Sequence, residues 1–223
     1  MELIDKVKGF WQVPISGIDP AGAGGGAIPS VSLGERHSNG LREMTSTWIE
    51  EQTLRVLDLG CTSKSNLQFL LERGHRAFNE DLLWTLGEAD WSRPGENGPE
   101  LDLERFFATN LQFEAASFDV ILFWDLADFL PEPLVRPLVS HLIRLLAPGG
   151  NILAYFHTRD AGVETPFCRY HIRDAERVEM RSAEVRPLLR IFNNRHVENL
   201  FQGCRTIKFF LARDNLREVL VVK

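Results

Sequence analysis

Three cysteines occur in the 223 residues, Cys61, Cys168 and Cys204, and no two are spaced as C-x-x-C. That supports neither a disulfide framework nor a zinc or other metal site. No apolar run approaches the roughly 20 residues of a membrane-spanning helix, and the opening MELIDKVKGF lacks the charged-then-apolar order of a secretory signal. A cytoplasmic protein without membrane contact is expected. A basic excess is also missing: the formal net charge is -6, which argues against nucleic acid as a partner, because such binding needs cations facing the phosphates.

What is present suits one well-buried domain with an appendage, since 44% of the 223 residues are hydrophobic. Residues 1–36 read as an N-terminal extension, a short amphipathic piece and then a linker in which Gly22, Gly24, Gly25 and Gly26 make ordering costly. Residues 37–223 are left for the domain. Its charge is uneven: residues 166–205 hold eight arginines and five acids, a local +3 that leaves -9 for the rest of the chain. Arg169, Arg173, Arg177 and Arg181 recur every fourth residue. They read either as a solvated face laced with Asp174, Glu176, Glu179 and Glu184, or as a docking surface for an acidic protein partner.

From Leu54 onward, strand and helix patterns alternate. LRVLDLG is a short apolar run ending in Asp58 and Gly60, and Leu67, Leu70 and Leu71 then mark a helical face that stops at Gly74. HRAFNED is a weaker second strand, and residues 87–100, with Pro94, Gly95, Gly98 and Pro99, read as loop. FDVILFWD is apolar on both faces, as a central parallel strand should be. Helical periodicity over residues 134–146, with Pro137 in or near the first turn, leads to APGG and a further strand, NILAYFHT. Asn193 or Asn194 opens a last helix that ends at Gly203, and TIKFFLAR and LREVLVVK make an antiparallel hairpin.

The VLDLG strand, the acid closing the second strand, FDVILFWD, LLAPGG before the next strand and the final hairpin together resemble the Rossmann-like S-adenosylmethionine-dependent methyltransferases over about residues 51–223. The resemblance implies an α/β three-layer sandwich, a seven-stranded and mostly parallel sheet with a C-terminal antiparallel hairpin, and S-adenosylmethionine as cofactor. In that family the first loop carries three glycines at alternate positions. Here Asp58 and Gly60 match, while Thr62 and Lys64 replace the second and third. Glycine there lets backbone approach the cofactor, which a β-carbon hinders.

By the same resemblance Asp58, Gly60, Cys61 and Thr62 line the cofactor, with Lys64 turned outward or paired with its carboxylate. Asp81 lies 23 residues after Asp58, near the offset at which an acid accepts from ribose hydroxyls; Glu80 competes for that role, and Asp81 has a helix cap as its alternative. Adenine falls between the third and fourth strands, near Asn110 and Leu111. Trp124 and Asp125 face the crevice at the carboxyl edge of the sheet, where Asp125 holds an amine or caps a short helix. His157 ends the next strand on that edge, as a general base or as a locally bonded side chain. No catalytic residue is singled out.

Two functions from different classes follow. Asp58, Gly60 and Asp81 favour methyl transfer to a small-molecule or protein acceptor; the altered loop and the arginine-rich segment favour a methyltransferase-like partner-binding module without catalysis. A dinucleotide oxidoreductase fails on spacing, because G-x-G-x-x-G would need glycines at Thr62 and Ser65, and Lys64 lacks the preceding glycine of a P-loop.

Overall fold

The computed structural model describes residues 31–159, 166–212 and 214–223. The glycine-rich stretch of the expected extension lies outside them. In chain order the elements are β1 (Ser32–His37), α1 (Asn39–Ser46), β2 (Arg55–Asp58), α2 (Lys64–Leu71), β3 (Arg76–Asn79), α3 (Leu82–Glu88), β4 (Ser92–Gly95), β5 (Gly98–Leu101) and α4 (Leu103–Thr109). They continue with β6 (Phe118–Trp124), α5 (Leu126–Phe129), α6 (Glu132–Leu145), β7 (Leu146–His157), β8 (Pro166–Ile172), β9 (Arg177–Val185), α7 (Asn194–Leu200), β10 (Thr206–Leu211) and β11 (Leu216–Val222).

The main sheet runs β10-β11-β7-β6-β2-β3. Strands β7, β6, β2 and β3 are parallel, and the hairpin β10–β11 closes one side antiparallel. The apolar strand β6 is central because both of its faces are covered. Phe118, Ile121 and Phe123 pack with Leu134, Leu138 and Leu142 of α6 in one core, while Val120, Leu122 and Trp124 pack with Leu41 and Met44 of α1 and Phe69 and Leu70 of α2 in the other. The alternation repeats on β7, where Ile152, Ala154 and Phe156 serve the first core and Leu153 and Tyr155 the second.

Among the described residues the main sheet has six strands where seven were expected. Between β3 and β6 no apolar run is long enough for a buried strand; α3, the small β4–β5 ladder and α4 fill the interval. Pro94 and Pro99, expected in loop, face each other in that ladder, whose turn closes at Gly98 with φ +123. Pro133, rather than Pro137, sits at the start of α6, and Pro137 lies inside the helix. Gly74 does end its helix, at φ +76, with His75 N donating to Leu70 O at 3.0 Å.

A second sheet, β1-β9-β8, is antiparallel throughout. Its first strand takes up the last residues of the stretch read as an extension, and its other two lie in the arginine-rich segment. A buried carboxylate joins this layer to the main sheet. Glu218 on β11 accepts from Arg36 Nη2 at 2.7 Å, Ser38 Oγ at 2.9 Å and Gly40 N at 2.6 Å. Ser38 in turn caps α1, accepting from Leu41 N at 3.1 Å. A β-carbon at Gly40 would lie 2.7 Å from Leu153 Cδ1 and 3.0 Å from Glu218 Oε2, so those side chains would have to shift.

Removing one partner of a buried ion pair leaves the other charged and unpaired, which costs about 3–5 kcal/mol. Glu218→Ala is therefore expected to lose that much unfolding free energy in urea at pH 7. Arg177→Ala, whose partners Asp174 and Glu35 are on the surface, should leave the unfolding midpoint unchanged.

Candidate functional site

Strand β2 ends at Asp58, whose buried carboxylate takes three donors. Oδ1 accepts from Gly60 N at 3.0 Å and Trp124 Nε1 at 2.7 Å, and Oδ2 from Asn66 Nδ2 at 2.8 Å. Burial raises the Asp58 carboxyl above its ordinary range, and the three bonds only partly offset it. The turn that follows is held by Asn79, which donates to Asp58 O at 3.0 Å and Gly60 O at 2.8 Å. Ser63 caps α2, accepting from Asn66 N at 3.3 Å.

Asn66 also binds the second sheet. Its Nδ2 donates to Tyr170 O at 3.1 Å and its Oδ1 accepts from Ile172 N at 2.7 Å, so one side chain pairs with β8 as a neighbouring strand would. Strand β8 is thereby drawn across the carboxyl ends of β2 and β6. Trp124, at the end of β6, has φ +50, a left-handed conformation that costs a bulky residue about 1–3 kcal/mol. Its N–H bond to Asp58 and its stack on Tyr170, with centroids 5.1 Å apart and planes at 8°, hold it there. A β-carbon on Gly60 would meet Trp124 Cδ1 at 2.8 Å. The bare backbone of Gly60 thus admits the chain's own indole.

Next to Trp124, Asp125 is fully buried; Oδ2 accepts from Tyr170 Oη at 2.8 Å, and Oδ1 has no partner. Burial is the largest influence and pushes this carboxyl up to about 7, against the pull of His157 and Tyr170. Asp128 accepts from His157 N at 2.6 Å and Nδ1 at 2.8 Å. Burial opposes the charged form of His157, but the Asp128 bond and the charges of Asp125, Asp128 and Asp214 outweigh it and raise its pKa. His157 is thus bonded locally.

A narrow cleft, partly open to solvent, lies between the turn at Gly60 and Cys61, the end of β6 at Trp124 and Asp125, and Arg169 and Tyr170 of β8. The thiol of Cys61 is pushed up to about 11, first by burial and then by Asp81, with Arg169 easing it. It is a neutral thiol at pH 7 and a poor nucleophile. Among the described residues no group of three histidines, cysteines or acids is placed to hold a metal ion.

Of the residues expected at a site, Gly60, Cys61, Trp124 and Asp125 line this cleft and Asp58 lies directly behind it. Thr62 is exposed, its hydroxyl bonded to Asn79, and Lys64 points outward at the start of α2. Asp81 caps α3, accepting from Trp84 N at 3.0 Å. Asn110 and Leu111 are not among the lining residues: Asn110 donates to Phe106 O at 2.9 Å, and Leu111 O accepts from His141 Nε2 at 3.0 Å. Asn66 and Tyr170 escaped the sequence reading, and Arg169 was read only as one of the arginine series. The alternation of Cys168, Tyr170 and Ile172 with Val178 and Met180 beyond a polar turn was the signal for their strands. Arg173 pairs with Glu179 and Glu35, Arg177 with Asp174 and Glu35, and Arg181 with Glu179.

A parallel sheet flanked by helices, with a cleft at the carboxyl ends of its central strands, defines a Rossmann-like α/β domain with its ligand site in the usual place for that class. A sequence model of the family described as "Methyltransferase domain" matches residues 34–204. The chain belongs to that family, whose methyl donor is S-adenosylmethionine. Phthiotriol/phenolphthiotriol dimycocerosates methyltransferase 1 of Mycobacterium ulcerans (strain Agy99) is 30% identical over 109 residues, 49% of this chain and 40% of that protein. The chain therefore matches less than half the length of this relative. The Burkholderia thailandensis 1,6-didemethyltoxoflavin-N1-methyltransferase structure, which holds 1,6-didemethyltoxoflavin and S-adenosylhomocysteine, aligns with TM-score 0.45 and 16% identity over 83% of this chain and 79% of that one. A methyltransferase structure from Aquifex aeolicus aligns with TM-score 0.46 and 11% identity over 82% and 88%.

The residues at the cleft fit one end of the family's donor. The unpartnered, buried Asp125 Oδ1 suits an ammonium, and Arg169, whose Nε is buried without a partner, suits a carboxylate. The cleft has room for about one water and does not admit the molecule as it stands.

The pH dependence of stability tests the burial of Asp125. The folded carboxyl keeps its proton up to about pH 7, whereas an unfolded aspartate loses it near pH 4. The native state binds the extra proton, so stability falls as pH rises from about 4 to about 7. Asp125→Asn should be more stable than the parent at pH 8, by roughly 2–4 kcal/mol, and equal to it near pH 3 in urea titrations. Trp124→Phe keeps the ring but removes a donor from Asp58, and is expected to cost about 1–3 kcal/mol in the same measurement.

Proposed function

We propose that the chain is an S-adenosylmethionine-dependent methyltransferase acting on a small-molecule acceptor, with the donor entering at the cleft between Gly60 and β8. The reading is carried by the coincidence, at the carboxyl ends of β2 and β6, of the Asp58–Gly60 turn with an unsatisfied buried carboxylate oxygen on Asp125. The donor's sulfonium supplies an electrophilic methyl group. What the chain contributes is position, since aligning donor and acceptor supplies most of the rate in such a transfer. Leu126 and Phe167 give the cleft apolar walls, which suits a small apolar acceptor better than an extended protein segment. The Mycobacterium ulcerans relative is named for acting on phthiotriol and phenolphthiotriol dimycocerosates.

In this reading the donor enters when Tyr170 leaves Trp124, opening room over Gly60. One observation favours a second reading, a methyltransferase-like module without catalysis: Trp124 already occupies the face of Gly60. Titration calorimetry with S-adenosylmethionine and S-adenosylhomocysteine separates the two. One-site binding of both is expected, with faster association in stopped-flow for Tyr170→Ala, which removes the stacked ring. A parent protein and a Tyr170→Ala variant that both ignore either nucleoside would establish the module instead.

A further inference from the structure

We infer that Asn66 is the latch that holds β8 closed over the donor site, so that donor entry is set by the release of one side-chain amide. The inference rests on the cofactor reading above and adds to it the residue that governs opening. β8 is an edge strand: it pairs with β9 on one side, and among the described residues no strand lies along the other. That edge is not bare. Asn66 Nδ2 donates to Tyr170 O at 3.1 Å and Asn66 Oδ1 accepts from Ile172 N at 2.7 Å, the two backbone groups that a neighbouring parallel strand would use. A side chain on a helix thus stands in for a strand, and at 2% exposure it does so with little competition from water.

The same Nδ2 also donates to Asp58 Oδ2 at 2.8 Å. One planar amide therefore ties the turn at the end of β2 to the strand that covers it. Two other bonds hold these residues of β8: Ser63 Oγ meets His171 Nδ1 at 2.8 Å, and Tyr170 Oη donates to Asp125 Oδ2 at 2.8 Å. Both act on the tips of side chains, which can swing away while β8 stays in place, and His171 is partly exposed, so water can replace its partner. Of the three ties, Asn66 alone holds the backbone. Releasing the Tyr170 carbonyl frees the ring stacked on Trp124, and Trp124 is the side chain that stands against Gly60. Asn66 touches no reacting group; it is a positioning residue whose effect falls on how often the site opens.

Hydrogen exchange and stopped-flow binding on the full chain test the latch. Asn66→Ser removes both bonds to β8. Exchange over residues 170–172 should then quicken roughly tenfold, the scale for losing one or two hydrogen bonds, while exchange in β6 keeps the parent's rate. Association of S-adenosylhomocysteine should quicken by a similar factor, because only the open fraction binds. Combining Asn66→Ser with Tyr170→Ala should give less than the product of the two effects, since both act on one opening. Should Asn66→Ser not fold, Asn66→Asp takes its place with the same outcomes expected: it has the same shape and still accepts from Ile172 N, but offers no donor to Tyr170 O once ionised. Exchange that rises equally in β8 and β6 makes Asn66 a merely structural residue and overturns the latch. So does a β8 that opens while association stays unchanged. Either result leaves the cofactor reading standing when the parent binds S-adenosylhomocysteine. A parent and variants that bind neither S-adenosylmethionine nor S-adenosylhomocysteine defeat both.

Discussion

A buried carboxylate at the end of β2 sets the geometry of everything around the cleft. Asp58 gathers a backbone donor from the turn, an amide from α2 and an indole from β6, three elements that no apolar contact would fix in register. The amide it holds belongs to Asn66, which also pairs with β8; the indole belongs to Trp124, which stacks on Tyr170. From Asp58 outward, each bond therefore decides where the next group can stand. Burying this charge is unfavourable by itself, and only a full set of donors makes it tolerable.

The same chain of bonds explains why the cleft is narrow. In a glycine-rich turn, bare backbone leaves space for a ligand; in this protein the space above Gly60 is taken by a side chain from β6. The left-handed backbone of Trp124 stores some of the free energy that its two partnerships return. A ligand that competes for Asp58 and for the face of Gly60 would release that strain, which lowers the cost of opening. Closure and recognition thus act on the same few groups.

Much of the fold was legible because its signals were local. Residues 118–124 are apolar on both faces and are central; Leu67 and Leu70 lead to Gly74 at positive φ; the closing hairpin has its expected pairing. The cover over the cleft was obscure for a physical reason. Arginines four apart share one face of a strand as well as of a helix, so their spacing could not choose between the two, and the acids that match them come from β1 as well as from nearby. Asp81 shows another limit: a carboxylate before a helix and a carboxylate at a strand end are the same residue, and the sequence does not say which atom does what. Arg169 was visible as one of a series, but its isolation depends on what the other three find in space.

The bond between Arg36 and Glu218 joins residues 182 positions apart, and among the described residues β1 pairs with β9 alone. On a ribosome the first of these partners emerges well before the second. β1 must therefore wait for β9, and the start of α1 for the Glu218 carboxylate on β11. Contacts of such long separation slow folding and lengthen the period in which exposed surface invites association. The join between the covering layer and the main sheet is thus completed only after β11 has been made, when the parallel strands are already in hand.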